Sequence, residues 1–196
     1  MGGALFFPAN FFVSVADDPA LRFGTSNFSI DAWVASAQPN SVIGIVDKLD
    51  MVTTVTKVGY AFYIQNGHLT FVMGNGTPYA TTAQVNIVNT GLSWHHVAVT
   101  VNRTGGVGTF YVDGAAVATF SPLPSNVDIS SMSTLQLGGS RLFATLGEYL
   151  LDEIEIFNGV LEAGDVKRIF DAGPSGKCFN IIPVPPPHRP GTARQP

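Results

Sequence analysis

Cysteine occurs once in this sequence, at Cys178. A lone thiol cannot build an internal disulfide framework, and it leaves the redox compartment open. Charge is scarce too: Asp, Glu, Lys and Arg make up 12% of 196 residues, with a net charge of −4. Lys and Arg never cluster, so the basic stripe that tracks a phosphate backbone is missing and nucleic acid is not an expected partner. No apolar run approaches the roughly 20 residues of a membrane-crossing helix, so membrane insertion is not expected. The start, MGGALFFPANFF, has neither a basic region nor an apolar stretch ending in a cleavage site. A chain with that start is expected outside the cell as a piece of a longer exported protein, or by another route such as a virus particle.

What is present points to strands. The chain is 45% apolar, with 21 Gly and 14 Phe among many Val, Thr and Ser, a strand-and-turn composition that predicts an all-β class. Eleven short apolar runs recur between turn signals, among them FSIDAWVAS, YAFYIQ, WHHVAVTV and LLDEIEIF. Their spacing of about 8 to 15 residues predicts two packed antiparallel sheets. QNGHL puts Asn66 and Gly67, and VDGAA puts Asp113 and Gly114, where tight hairpins need positive φ. VLEAGDVKRIFDAG alone reads as a helix: Leu161, Val166, Ile169 and Phe170 recur at helical spacing and Gly173 stops it. After residue 176 the composition turns proline-rich, with six prolines between 183 and 196. We therefore expect a β-sandwich over 1–176, its core including Trp33, Trp94, Phe110 and Ile154, and an extended tail or linker over 177–196.

His95 and His96 are half of the four histidines. Neighbours on a strand point to opposite faces, so the two cannot chelate one ion. His68, His188 and Cys178 have no ligand-like spacing to them, which argues against zinc. The expectation is structural, with one histidine facing the core beside Trp94 and the other facing water.

Four stretches stand in a telling order: ALFFPANFFVSV, ALRFGTSNFSIDAWV, WHHVAVTVNRTGGVGTFYVDG and LDEIEIFNGVLEAGDVKRIFDAGPSGKC. Together they cover residues 3–178. In these the chain resembles the laminin G-like branch of the concanavalin A-like lectin/glucanase sandwiches, which implies a two-sheet antiparallel jelly roll. The resemblance also implies that WHHVA and the tryptophan of DAWV are scaffold. Some relatives hydrolyse glycosides, so LDEIEIF requires a test. Strand alternation puts Asp152 on one face and Glu153 and Glu155 on the other, about 7 Å apart, which alone does not exclude a hydrolase. The hydrolase pattern E-x-D-x-x-E, however, lacks its last acid here, where Phe157 and Asn158 stand. No enzyme activity is expected.

Calcium is the usual ion of such sandwiches, and Asp152 matches the acid that helps to hold it. The family's N-terminal aspartates are replaced by Phe7 and Phe11, and Val72 and Met73 occupy the approximate place of a laminin-type rim acid. A structural calcium at Asp152 is therefore the only cofactor considered; Asp152 could instead pair with Lys48 or Arg141.

Two non-catalytic functions are expected. The first is a surface-displayed recognition or adhesion module binding glycan or protein through loops 47–60, 74–79 and 140–149, with Tyr60, Tyr79 and Tyr149 as aromatic platforms. The second is a structural subunit of a virion or extracellular fibre, self-assembling or docking on neighbouring subunits. Its contacts would be Phe7 and Phe11 at the aromatic start and Ile182, Val184 and Arg189 in the tail. Either role places the chain outside the cell, on a cell surface or on a virion surface.

Overall fold

A computed structural model describes residues 3–173, except Pro39, 54–55, 77–82, 87–91 and Leu123, and gives backbone alone for 83–86. Tyr79, Ile182, Val184 and Arg189 lie outside the described residues, as does the whole of 174–196. In chain order the strands are β1 (Leu5–Phe7), β2 (Val13–Val15), β3 (Phe28–Ala35), β4 (Val42–Asp47), β5 (Asp50–Met51), β6 (Lys57–Gln65) and β7 (His68–Asn75). There follow β8 (Ala83–Asn86), β9 (His95–Asn102), β10 (Val107–Val112), β11 (Ala115–Phe120), β12 (Leu135–Leu137), β13 (Tyr149–Phe157) and the helix α1 (Ala163–Ala172). All eleven apolar runs of the sequence contain strands. The two-residue β5 and the short β8, AQVN, were not visible as apolar runs.

The strands form two antiparallel sheets. The first has the order β1-β13-β3-β9-β10-β11, and the second β2-β12-β4-β6-β7-β8 with β5 paired to β6. Strand alternation explains the core between them. Phe28, Ile30, Val97, Val99 and Phe110 point inward from the first sheet to meet Ile43, Ile45, Phe62, Phe71 and Met73 of the second. The Phe62 and Phe110 rings stack across the gap with centroids 6.4 Å apart. Ile154 is partly buried against the same cluster. The Asn66–Gly67 and Asp113–Gly114 turns take the expected positive φ, 50° and 74° in the first and 49° and 76° in the second.

β3 is buried along its whole length, on both faces. Its outer face is covered by α1, which packs Val166 against Ala98 and Tyr111 and stacks Phe170 on Trp33 at 5.7 Å. Full burial of a side chain such as Val166 contributes roughly 1.5–3 kcal/mol. Asp165 accepts the Glu162 N–H at 3.0 Å to start the helix, and Gly173 ends it at φ 74°. Leu161 N–H bonds Ser29 Oγ near the start of β3, whereas Phe170 reaches Trp33 and Gly114. The helix therefore runs the length of the sheet.

Trp94 does not join the core. Pairing of β9 with β3 begins at His95, so Trp94 lies ahead of the strand and is half-buried. Trp33 is buried, but beneath α1 rather than between the sheets.

Candidate functional site

The two ends of the sandwich differ in chemistry. One end carries the β9–β10 turn and the exit of β4, and there ion pairs tie separate segments together. Lys48, fully buried, donates to Asp17 at 2.7 Å and to Ser133 O at 2.8 Å. Arg22 also pairs with Asp17, and the hydrogen bond from its guanidinium, followed by that from Lys48, lowers the Asp17 carboxyl to about 2. Asp47, also buried, accepts from Leu49 N–H at 3.0 Å, Arg141 N–H at 2.7 Å and the Arg141 guanidinium at 2.8 Å. Lys48 and Arg141 thus serve Asp17 and Asp47, not Asp152 as one reading of the sequence had it.

The two histidines each meet an aspartate. His95 Nδ1 lies 2.9 Å from Asp113 Oδ2, whose other oxygen accepts the His96 N–H at 3.0 Å. His96 is buried on the outer face of the first sheet, 3.6 Å from the buried Asp31 and 5.5 Å from the Trp33 ring. The buried histidine therefore sits beside Trp33 and not Trp94, and neither side chain is fully in water. α1 covers this cluster with Val166 and Phe170, while its charged residues pair along its exposed side: Lys167 with Asp171 and Arg168 with Asp165.

The acidic strand departs from simple alternation. A bulge between Asp152 and Glu155 and a φ of 47° at Glu153 shift the register, so Asp152 opposes Trp33 and Glu155 opposes Asp31. Both now share the outer face, where alternation had put them on opposite ones. Asp152 Oδ1 accepts the Glu153 N–H at 2.9 Å. Among the described residues no three His, Cys, Asp or Glu side chains converge on a point, so an ion at Asp152 would draw its other oxygens chiefly from backbone carbonyls and water.

The other end is apolar. There a cleft of about 220 Å³ is lined by Phe6, Ala37, Gln38, Leu92, Glu148, Tyr149 and Leu150. Phe6 and Leu92 stand 59% and 65% exposed at its walls. Its floor is fixed by local hydrogen bonds: Glu148 N–H donates to Gln38 Oε1 at 3.2 Å, Ser36 Oγ to Glu148 O at 3.0 Å, and Leu146 N–H to Asn10 Oδ1 at 2.8 Å. Next to it, the β1–β2 connection holds Phe11 66% exposed.

Of the expected aromatic platforms, Tyr60 and Tyr149 are buried, and Tyr79 lies outside the described residues. Tyr60 is 1% exposed, its ring among Phe23 and Phe28 and its hydroxyl donating to Leu21 O. Tyr149 is 2% exposed, stacked on Phe7 and bonded to Gly138 O, so it supplies cleft floor but no open ring. Burial pushes both hydroxyls well above the ordinary tyrosine range. Each points inward because strand register, and not nearness to a loop, sets the facing of its side chain. Phe7, expected at an assembly contact, is likewise buried at 3% by pairing opposite Tyr149, whereas its neighbour Phe6 faces out. The three expected binding loops also divide: Lys48 N–H to Tyr60 O and Gly76 N–H to Lys57 O put 47–60 and the exit of β7 at the charged end, whereas 140–149 leads from Arg141, bonded to Asp47 of that end, to Gly147, whose N–H bonds Val42 O at the apolar one. Leu92 was missed because a single leucine in a loop carries no periodic signal.

Two facing antiparallel sheets, a helix sealing one outer face and an apolar cleft at one end define a lectin-like β-sandwich. The chain belongs to the concanavalin A-like lectin/glucanases superfamily, whose laminin G type 3 family model matches residues 12–167. No curated protein matches it in sequence. Among solved structures it is similar to the binding domain of Paraclostridial Mosquitocidal Protein 1, with TM-score 0.66 and 16% identity over 87% of this chain and 46% of that one. It is also similar to the binding domain of botulinum neurotoxin DC in complex with rat synaptotagmin II, with TM-score 0.65 and 16% identity over 87% of this chain and 45% of that one. A third is botulinum neurotoxin type C, described as depending on two ganglioside molecules to enter cells, with TM-score 0.64, 16% identity and coverage of 87% and 45%. At such identities the likeness is one of fold, and this chain spans less than half the length of each.

Proposed function

We propose that this chain is a non-catalytic recognition module, displayed outside the cell or on a surface, that binds a protein partner through the Phe6–Leu92 cleft. The carrying observation is the cleft itself: exposed apolar walls on a hydrogen-bonded floor, with Gln38 and Glu148 as its polar lining side chains. A sugar needs a denser set of polar groups, whereas one apolar anchor of a protein partner fits such a lining. The fold neighbours lend support, since one is held with synaptotagmin II and another is described with gangliosides. A catalytic reading loses ground at β13, where Glu155 sits opposite Asp31 on the α1 side and not beside Glu153. Among the described residues no helix is long and apolar enough to cross a membrane.

The test is binding of the fluorescent chain to cultured cells treated with trypsin or with sialidase. Phe6→Ser and Leu92→Ser should each weaken binding at least tenfold with the thermal transition unchanged, and trypsin should remove the receptor. Loss of binding on sialidase alone would move the ligand to the glycan class.

A second reading, a structural subunit, is favoured by one observation. Leu5, Val13 and Val15 pair with the inward rows of Leu151, Leu137 and Leu135 yet remain exposed, so the seam between the sheets is open along β1 and β2. An assembling neighbour could close it.

A further inference from the structure

We propose that the open seam beside β13 is a docking site of its own, taking an apolar side chain that a partner protein carries next to a lysine or arginine. It is separate from the Phe6–Leu92 cleft and goes beyond the recognition reading, and it names the chemistry of the neighbour that a structural subunit would need there.

Shape comes first. β1 pairs with Tyr149, Leu150 and Leu151, whereas β13 runs on to Phe157, so among the described residues Asp152 to Ile154 form the edge of the first sheet beyond Leu5. A groove of about 180 Å³ opens there between the sheets, lined by Leu5, Leu151 and Ile154 of the first, Leu137 of the second, and Asp152 and Glu153. Leu137, Leu151 and Ile154 are held by the central core, which fixes the floor, while Leu5 stands exposed, as do Val13 and Val15 along the same seam. Such a floor suits one apolar anchor of a partner. The bulge after Asp152 and the φ of 47° at Glu153 interrupt the ladder, so a partner is denied regular strand pairing here and enters by its side chains.

Charge comes second and selects the partner. Asp152 and Glu153 are half-buried, and among the described residues no Lys, Arg or His side chain lies within ion-pair distance of either. A cation brought to carboxylates beside an apolar surface is attracted more strongly than in open water. Anionic lipid headgroups and acidic sugars are repelled by the same pair. A second copy of this chain meets the same objection: residues 3–16 contain no Lys or Arg, and Asp17 and Asp18 follow. Arg22 and Lys48 already serve Asp17, so seam-to-seam pairing would bring acids together without a base. The complementary occupant is therefore a different protein that presents a base beside its apolar anchor.

The probe is a fluorescent peptide, Lys-Leu-Arg-Ile-Lys-Val, with Glu-Leu-Glu-Ile-Glu-Val as its control. Fluorescence anisotropy with the full chain should show the basic peptide binding at least tenfold more tightly than the acidic one, and added salt should weaken it. Asp152→Asn combined with Glu153→Gln should weaken binding at least tenfold with the thermal transition unchanged, since Asn keeps an oxygen to accept the Glu153 N–H. Leu5→Ser, at an exposed position, should also weaken it, and Leu92→Ser should leave it as it was. Equal binding of the two peptides, or binding of neither, overturns the inference. So does loss of binding in Leu92→Ser, which would move the peptide to the other cleft. Light scattering separates this inference from the structural reading: if the unaltered chain is an assembly that Leu5→Ser returns to monomers, the seam belongs to a second copy, and the structural reading survives while the basic partner is rejected.

Discussion

The two ends of the sandwich solve the same problem in opposite ways. Where β4 ends, buried ion pairs, Lys48 with Asp17 and Arg141 with Asp47, tie the segments around Asp17 and Arg141 to the exit of β4. Where β1 and β3 end, hydrogen bonds fix the floor, but Phe6, Phe11 and Leu92 are left to solvent. Buried ion pairs are poor contributors to net stability and costly to break, so they specify geometry. Exposed apolar groups add little to folding and gain only when something covers them. The difference fits scaffold duty at the first end and agrees with the recognition proposed for the second.

The largest expected effect comes from breaking the charged end. Asp47→Ala deprives three donors of their acceptor and leaves the Arg141 guanidinium without its carboxylate, which should cost about 3–5 kcal/mol. Urea denaturation would show it as a lower midpoint at unchanged slope. An effect below about 1 kcal/mol would mean that the two ends are not distinguished by their pairing at all.

A pH titration sharpens the same contrast. The folded Asp17 carboxyl lies near 2, below its ordinary 3.8, because of Arg22 first and Lys48 second. A group depressed on folding stabilises above its unfolded value and loses that contribution as pH falls through the folded one. Stability should therefore decline between about pH 4 and pH 2, and Asp17→Asn should flatten that part of the curve. An acid limb unaltered in Asp17→Asn would show that other carboxylates govern it.

What the sequence disclosed follows from which interactions are periodic. Strand alternation and turn chemistry located the sandwich, both hairpin turns and α1, because each leaves a repeating mark on residue type. The same alternation misled at β13, where the bulge brings Asp152 and Glu155 to one face, since nothing in LDEIEIF marks a bulge. Tyr60 and Tyr149 failed as platforms for a related reason: a tyrosine near a strand end reads as loop-like, yet its facing is set by register. The cleft was illegible because it joins Phe6, Ala37, Leu92 and Leu150 from four separate segments. Such convergence is a property of topology, and no local window contains it.

The smallest expected effect on folding lies in the apolar rim. Phe11 follows a turn closed by its own N–H to Pro8 O at 3.0 Å, and its ring is mostly in solvent. Removing a ring that buries little should change stability by less than about 0.5 kcal/mol, so Phe11→Ser should melt with the unaltered chain. Its mass in solution is the more informative readout. If the rim and the open seam join copies of this chain, light scattering should find an assembly in the unaltered protein that Phe11→Ser shifts toward the monomer. If the end serves recognition of another molecule, both proteins should be monomers, and the substitution should register only in binding to cells. A destabilisation of 2 kcal/mol or more would contradict both, because it would make Phe11 part of the scaffold and erase the contrast between the two ends.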